Sequence, residues 1–451
     1  MRDQDLTEGP ISGHFRTLAI PAAMGMLFST LYNVVDVYYA GLLSTQAQAG
    51  LAIGFQAFFI MMAVGFGVGS AMSALVGNAR GKKDDEAARR ISMQGLSFAV
   101  VSTLILMVLG ALAGPSLIEL ISEPGGYRDA ATGYFFWLLT ALPGFLIAYA
   151  ANGILQAHGD SVTLQRAMMA AFFANIALNP LLMYGIPGLL PGFGVYGIAF
   201  ATVISQTGVM VFVLRAVLNL RVIKGAHWRE LAPEMKAFRE VFVQMIPTAS
   251  AFMVMFFSGF VVQYALKGFG EHTIAAYGIA LRIEQILLLP VFGMTGALLP
   301  IAAQNFGAEH HDRVREALWF CWKLGFVMTI GAAPILWFGG SAAMSLFTKD
   351  QAVIDAGMSY LRVDSFLFVI YMMLFSINSL LQALKRPIWT LWISIYRQGF
   401  GVLFFVWLLV GVYEMDVWGV WLGIGIAVST GWIIAMVIAS RVARSSIGGL
   451  R

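Results

Sequence analysis

Asn152-Gly153-Ile154-Leu155-Gln156-Ala157 returns 226 positions later as Asn378-Ser379-Leu380-Leu381-Gln382-Ala383. The same offset carries Ile20-Pro21 onto Ile246-Pro247, Tyr38 onto Tyr264, Glu86 and Arg89 onto Asp312 and Arg315, and Gly197 onto Gly423. One such match is chance. Anchors spread over half the chain at a single spacing describe a duplicated unit, of the kind found in proteins built from parallel repeats.

What is duplicated spans a membrane. Of 451 residues, 59% are hydrophobic and 12% charged, where a soluble domain carries roughly 25% charged residues. Mean hydropathy is +0.78. The charges gather in short clusters between apolar runs of the roughly 20 residues needed to cross a bilayer. Twelve spans result: 15–39, 51–76, 92–121, 134–157, 162–184, 193–218, 241–266, 274–303, 318–347, 361–384, 388–412 and 417–440. The pattern predicts an all-α polytopic membrane protein, with twelve transmembrane helices in two pseudo-symmetric six-helix bundles: an N-terminal lobe at 1–220 and a C-terminal lobe at 221–451. A β-barrel would instead show alternating segments of about 10 residues. The first span is too long for a signal-peptide core and lacks a small-residue cleavage site behind a basic start, so it is expected to stay in the mature protein. The one cysteine, Cys321, allows no intramolecular disulfide and matches no metal or redox spacing; it is expected to be a small packing residue.

A pI of about 9.1 does not make the chain a nucleic-acid binder, because the charge is sorted by side. With the amino terminus assigned to the cytoplasm, 21 of the 28 Lys and Arg residues fall on the cytoplasmic side. Four (Arg128, Lys267, Lys349 and Arg362) fall outside, and Arg282, Lys323 and Arg397 lie within spans. This asymmetry is the positive-inside rule; it predicts a cell inner membrane protein with both termini cytoplasmic. Six spans per half, an even number, give the halves one orientation about an axis along the membrane normal. Two such bundles leave a cleft suited to alternating access; a duplicated scaffold without transport is the alternative. The polar, basic stretch from Asn219 to Glu240 is the expected linker. Pro21, Pro143, Pro180, Pro247, Pro290 and Pro334 fall inside spans, where each removes a backbone donor and predicts a kink.

Asp36 stands in Tyr32-Asn33-Val34-Val35-Asp36-Val37-Tyr38-Tyr39, near the outer end of the first span. A carboxylate at such a depth is unfavourable by on the order of 3 kcal/mol, so it tends to be neutralised, paired or coupled to an ion. A partly solvated Asp at the outer surface is the alternative. Tyr32, four residues earlier, shares its helix face. On the fifth span Asn175 and Asn179 repeat that spacing, with Pro180 directly after; the sixth supplies Thr202 and the fourth begins with Tyr134. Four spans thus each offer an oxygen-bearing group to one bundle. Taken singly, Thr202 and Tyr134 are equally explained by interhelical hydrogen bonds worth about 0.6 kcal/mol each.

In order and spacing these elements resemble the multidrug and toxic compound extrusion (MATE) family, DinF-like branch, along essentially the whole chain. The matching segments are Pro21 with Asn33–Gly41, Gly77–Gly81, Gly153–Asp160, Asn175–Pro180, Gly194–Thr202 and Pro300–Ala308. The resemblance implies a secondary active multidrug efflux antiporter, not an enzyme, that exports organic cations and related toxic compounds in exchange for H⁺ or Na⁺. It implies that Asp36 binds the coupling ion, with Tyr32, Tyr134, Asn175 and Thr202 as polar surroundings. Asn179 departs from the branch, many of whose members carry Asp there; an amide takes up no proton, so one titratable group remains. The family's other arrangement places a Glu eight residues after the seventh-span proline, a position held here by Met255. Expected partners are small cationic or amphipathic molecules and membrane lipids, with no nucleic acid, no cofactor beyond the coupling ion, and a monomeric protein.

Low-dielectric surroundings disfavour the charged form of a carboxyl group. Proton uptake at Asp36 from outside would remove the charge that holds a cation, and rebonding near Pro21 would bend the first span and shrink the pocket. Sodium is the rival, since the Asp36 carboxylate, the Asn175 and Asn179 amide oxygens and the Thr202 hydroxyl suit a hard cation. In the second half, Arg282 and Glu284 are two apart and point to nearly opposite faces. Glu284 either lines a second-lobe cavity with Arg282 and Arg397 or forms a structural bridge to Arg397; Asp364 is expected at the membrane interface. Arg282 and Arg397 are also the only candidates for the basic cavity of the alternative function, a lipid-linked saccharide flippase of the same wider superfamily. An intramembrane enzyme needs a nucleophile–base pair or metal ligands within spans, whereas all six His lie in loops or at span edges.

Overall fold

The computed structural model describes residues 4–122, 124–189 and 191–450. Among them are twelve helices long and apolar enough to cross a membrane. They are α1 (Ile11–Leu43), α2 (Thr45–Gly81), α3 (Asp85–Ile121), α4 (Gly126–Ala157), α5 (Val162–Tyr184), α6 (Val195–Leu218), α7 (Met235–Leu266), α8 (Glu271–Gly307), α9 (His311–Ser345), α10 (Gln351–Ala383), α11 (Ile388–Val412) and α12 (Val417–Ile447). Every predicted span has its helix. Lipid offers no hydrogen bonds, so a segment closing all its backbone bonds internally is the stable form. Four helices start at a polar cap: Asp84 accepts from the Ala87 amide at 2.9 Å, and Ser44, Asp350 and Asp416 do the same for α2, α10 and α12.

The chain divides into two compact units, changing between Ala249 and Ser250, with Thr7–Ala23 counted in the second. In the first, α4 packs against α2, α3 and α6, and α6 packs against α5. The apolar stretch of α4 is 72% buried and that of α3 only 33%, so α4 is the centre of its bundle. In the second unit α8 and α10 are the buried pair, at 67% and 61%, against 17% for α9. The duplication extends to backbone conformation. Left-handed residues recur at the 226-residue offset: Lys83 with Glu309, Gly159 with Lys385, and Gly188 with Glu414. Four of these six turn positions tolerate a side chain that costs roughly 1–2 kcal/mol in that conformation, so the loops are shaped by the packing of the helices they join.

Close helix contact in the first unit depends on missing side chains. A Cβ on Gly153 of α4 would lie 2.1 Å from the Gly69 carbonyl oxygen of α2, so the two backbones touch only because both residues are small. The six prolines noted above all sit inside continuous helices. The regular helix is interrupted elsewhere: α11 carries two π-helical segments, Ile395–Phe400 and Trp407–Val412, neither containing proline. The predicted linker is also more ordered than its polarity suggests. It forms a 3₁₀ turn at Trp228–Leu231, and Gln94 of α3 donates to the Glu230 and Ala232 carbonyls at 2.7 and 2.8 Å. Arg90 bonds Glu234, holding its carboxyl below the ordinary range. Cys321 is buried as a packing residue.

Candidate functional site

Within the first unit, Asp36 is 4% exposed and its carboxylate is held by side chains from two other helices. Asn175 and Asn179 each donate to Oδ1, at 3.0 and 2.9 Å, and Thr202 donates to Oδ2 at 3.1 Å. The Asn179 amide also donates to Asn175 Oδ1 at 3.1 Å. Helical geometry explains the convergence. Residues 175 and 179 are one turn apart and present both amides along one face. Pro180 lacks an N–H, which leaves the Ile176 carbonyl without its helical donor. The Tyr39 hydroxyl, one turn beyond Asp36, donates to that carbonyl at 3.1 Å and pins α1 against α5.

Two tyrosines complete the surroundings. Tyr32 and Tyr134 are both buried and in electrostatic contact with Asp36. Tyr134 reaches this place beside Gly54 of α2, where a Cβ would stand 3.0 Å from its ring. Ser205, one turn after Thr202, lies near the Tyr32 hydroxyl. Tyr32 Oη, Ser205 Oγ and Asn179 Oδ1 are all buried without a well-formed protein hydrogen bond. Such groups are unfavourable by roughly 1–3 kcal/mol each when unsatisfied, so a carboxylate ringed by spare oxygens is poised to accept a proton or a hard cation.

The second unit buries charge differently. Glu284 of α8 accepts one hydrogen bond, from the Tyr360 hydroxyl at 2.7 Å. Asp364, one turn after Tyr360 on α10, is fully buried in electrostatic contact with Glu284, and neither of its oxygens has a well-formed bond. Its expected interfacial depth leaves its direction open: the packing of α10 turns the side chain inward, which depth along the helix does not reveal. Of the two roles open to Glu284, the bridge to Arg397 is not formed. Arg397 is buried in the first π-helical segment of α11 and feels Glu284 and Tyr371, but among the described residues no ion pair joins it to Glu284. Arg282 is exposed and takes no part in this cluster, because its position on α8 faces away from buried Glu284. Trp421 closes the group, packing edge-on against Tyr360 at 5.1 Å and stacking on Tyr277 at 5.8 Å.

The described MatE family model matches residues 21–181 and again residues 247–407, the two matches standing 226 residues apart. The chain belongs to the MatE family. This MatE chain is 25% identical over 414 residues to the probable multidrug resistance protein YoeA of Bacillus subtilis, covering 90% of this chain and 88% of that one. It is 22% identical over 374 residues to the multidrug export protein MepA of Staphylococcus aureus, covering 80% of each. It is 24% identical over 409 residues to an FAD transporter of Shewanella oneidensis, covering 88% of each. Among solved structures, an outward-facing multidrug resistance MATE family transporter of the MOP superfamily matches with a TM-score of 0.91 at 22% identity, over 100% of this chain and 99% of that one. A MOP superfamily transporter from Pyrococcus furiosus, described as having a binding pocket of reverse polarity, matches at 0.90 and 22%, over 98% of each. Relatives of this MatE protein are thus transporters and not enzymes, and it is a multi-pass membrane protein.

Of the residues singled out in sequence, the structure brings Asp36, Tyr32, Tyr134, Asn175, Asn179 and Thr202 into one MatE site and separates Arg282 from Glu284. Sequence reasoning missed Ser205 and the two tyrosines, Tyr360 and Tyr371, that share the Asp364 face of α10. A signal for Tyr360 was present, since it is Tyr134 displaced by 226 positions.

Proposed function

We propose that the protein is an ion-coupled efflux antiporter that exports organic cations in exchange for H⁺ or Na⁺, with Asp36 as the coupling residue. The observation that carries this reading is the buried Asp36 carboxylate, held by three side-chain donors and bordered by buried oxygens that lack partners. While charged, the carboxylate is satisfied by Asn175, Asn179 and Thr202. Once protonated it becomes a donor and needs an acceptor, and Asn179 Oδ1 is adjacent and free. Turning that amide breaks its donation to Asp36 and to Asn175, so a change of charge on α1 reaches α5 beside Pro180. A sodium ion would draw on the same set, with the carboxylate, Asn175, Asn179 and Thr202 supplying oxygens. Loss of the negative charge, by either route, removes the counter-charge for a cationic substrate.

The names of the YoeA and MepA relatives support export of drug-like compounds, and the FAD transporter marks a different cargo on the same scaffold. We place the protein in the cell inner membrane as a monomer, both termini cytoplasmic, with functional lobes 1–220 and 221–451. Glu284 and Arg397 belong to the second-lobe cavity in this reading. The test is ethidium efflux from vesicles containing the purified protein, under a pH gradient or a Na⁺ gradient imposed separately, with FAD as the competing cargo. Efflux driven by one gradient and lost in Asp36→Asn is expected. Equal efflux with no gradient, or full coupled export by the variant, ends the assignment.

A further inference from the structure

A groove of about 570 Å³ runs along the surface of the second unit between α9, α10 and α12. Its walls are apolar, with Trp337, Phe366 and Leu422 along its length, Trp418 near one end and Thr430 near the other. Arg362 is the only charged residue lining it. The guanidinium lies 5.8 Å from the centre of the Trp337 ring, and among the described residues no acid pairs with it.

Three observations identify an occupant. The first is length: Trp418 to Thr430 is a rise of twelve residue steps along α12, about 18 Å at 1.5 Å per residue, close to the roughly 15 Å of hydrocarbon in one leaflet. The second is polarity along that length. Trp418 is the second residue of α12 and Trp337 lies eight residues before the end of α9. Trp418 thus stands at the outer rim of the groove, while Val363 against Gly425 and Trp337 against Phe366 place Arg362 and Trp337 about midway along it, from where a snorkelling Arg reaches toward the headgroups. The third is the repeat. At the 226-residue offset Arg362 becomes Phe136, Trp337 becomes Ala111, Ser429 becomes Val203 and Ile426 becomes Phe200. In the first unit Phe200 packs against Trp137 with ring centres 4.2 Å apart. The repeat does not require this charge or this lining, since none of the four residues returns at the equivalent position in the first unit.

We propose that this groove seats one anionic phospholipid, its phosphate on Arg362 and one acyl chain between Phe366 and Leu422. Under the orientation proposed above, the lipid comes from the outer leaflet. A zwitterionic headgroup fits less well, because its ammonium would need an acid and none lines the groove. The inference goes beyond the transport reading and does not depend on it.

Vesicles of phosphatidylethanolamine containing the full chain and increasing phosphatidylglycerol with brominated acyl chains test it, since bromine quenches tryptophan on contact. Above the linear quenching of the other exposed tryptophans, a component should saturate at a low phosphatidylglycerol fraction, and that component should vanish in the Trp337→Phe, Trp418→Phe double variant. Arg362→Gln should raise the half-saturating fraction about fivefold, and Ser429→Phe should abolish the saturable component by filling the groove. Circular dichroism in the same vesicles identifies any variant that misfolds, and the remaining variant then decides. Identical curves for wild type and Arg362→Gln, or an equal saturable component from brominated phosphatidylethanolamine, overturn the proposal.

Discussion

Tyr134 and Tyr360 occupy equivalent places in the two halves, yet they stand beside different acids. Tyr134 lies near Asp36 of α1, whereas Tyr360 donates to Glu284 of α8. At the repeat offset, Asp36 corresponds to Val262, Asn175 to Gly401 and Thr202 to Val428; conversely, Glu284 corresponds to Phe58 and Asp364 to Leu138. At these five positions each half has an apolar residue or glycine where the other has a polar one. The duplicated backbone preserves a central helix with a tyrosine in its core, and the chemistry placed around that tyrosine has diverged. The first site satisfies one carboxylate with three neutral donors. The second crowds two carboxyls near an arginine with a single strong hydrogen bond. A carboxylate satisfied only by neutral groups is the better ion switch, because no fixed cation competes with the arriving one.

The sharpest way to break this comparison is a pair of isosteric substitutions. Asp36→Asn should lower gradient-driven efflux about 100-fold, equivalent to roughly 2.7 kcal/mol, while Glu284→Gln should cost no more than about tenfold; equal losses in the vesicle assay would erase the distinction between the sites. Next in size is Asn179→Asp, which sets a second carboxyl within hydrogen-bonding reach of Asp36. Two such groups share a proton and titrate in two steps, so the efflux–pH profile should gain a second inflection. A single unchanged inflection would remove position 179 from the site.

A smaller effect separates the two tyrosines. Tyr360→Phe strips Glu284 of its donor and should destabilise the protein by about 1–3 kcal/mol, seen as a lower midpoint of thermal unfolding in detergent. Tyr134→Phe should shift that midpoint less than half as far. The smallest effect belongs to the linker on α3. The Arg90 bond depresses the Glu234 carboxyl, so its contribution is present above the ordinary carboxylate value of 4.5 and is lost as pH falls through the lower folded value. Glu234→Gln should therefore lower the unfolding midpoint slightly at neutral pH and not at all in strong acid.

The twelve helices were legible in the sequence because crossing hydrocarbon demands long apolar runs, and any run that long leaves a mark in composition. The candidates Asp36, Asn175, Asn179 and Thr202 were legible because polar groups inside such runs are few. Their mutual contacts were not. Hydropathy reports how deep a residue lies along the membrane normal and is silent about which way it turns around the helix axis. That silence accounts for Asp364, whose depth suggested an interface while its direction buries it. It accounts equally for Arg397 and Glu284, which have compatible charges but do not meet.

From its amino acids alone the chain determined a twelve-span, duplicated membrane protein with its charges sorted by side, because bilayer thickness and charge transfer act on composition directly. Only the tertiary structure decided that three neutral donors close on Asp36, that the second unit pairs Tyr360 with Glu284, and that a groove opens beside Arg362. Those outcomes depend on helix rotation and on close approach at residues such as Gly54 and Gly153, which packing sets and no single segment encodes.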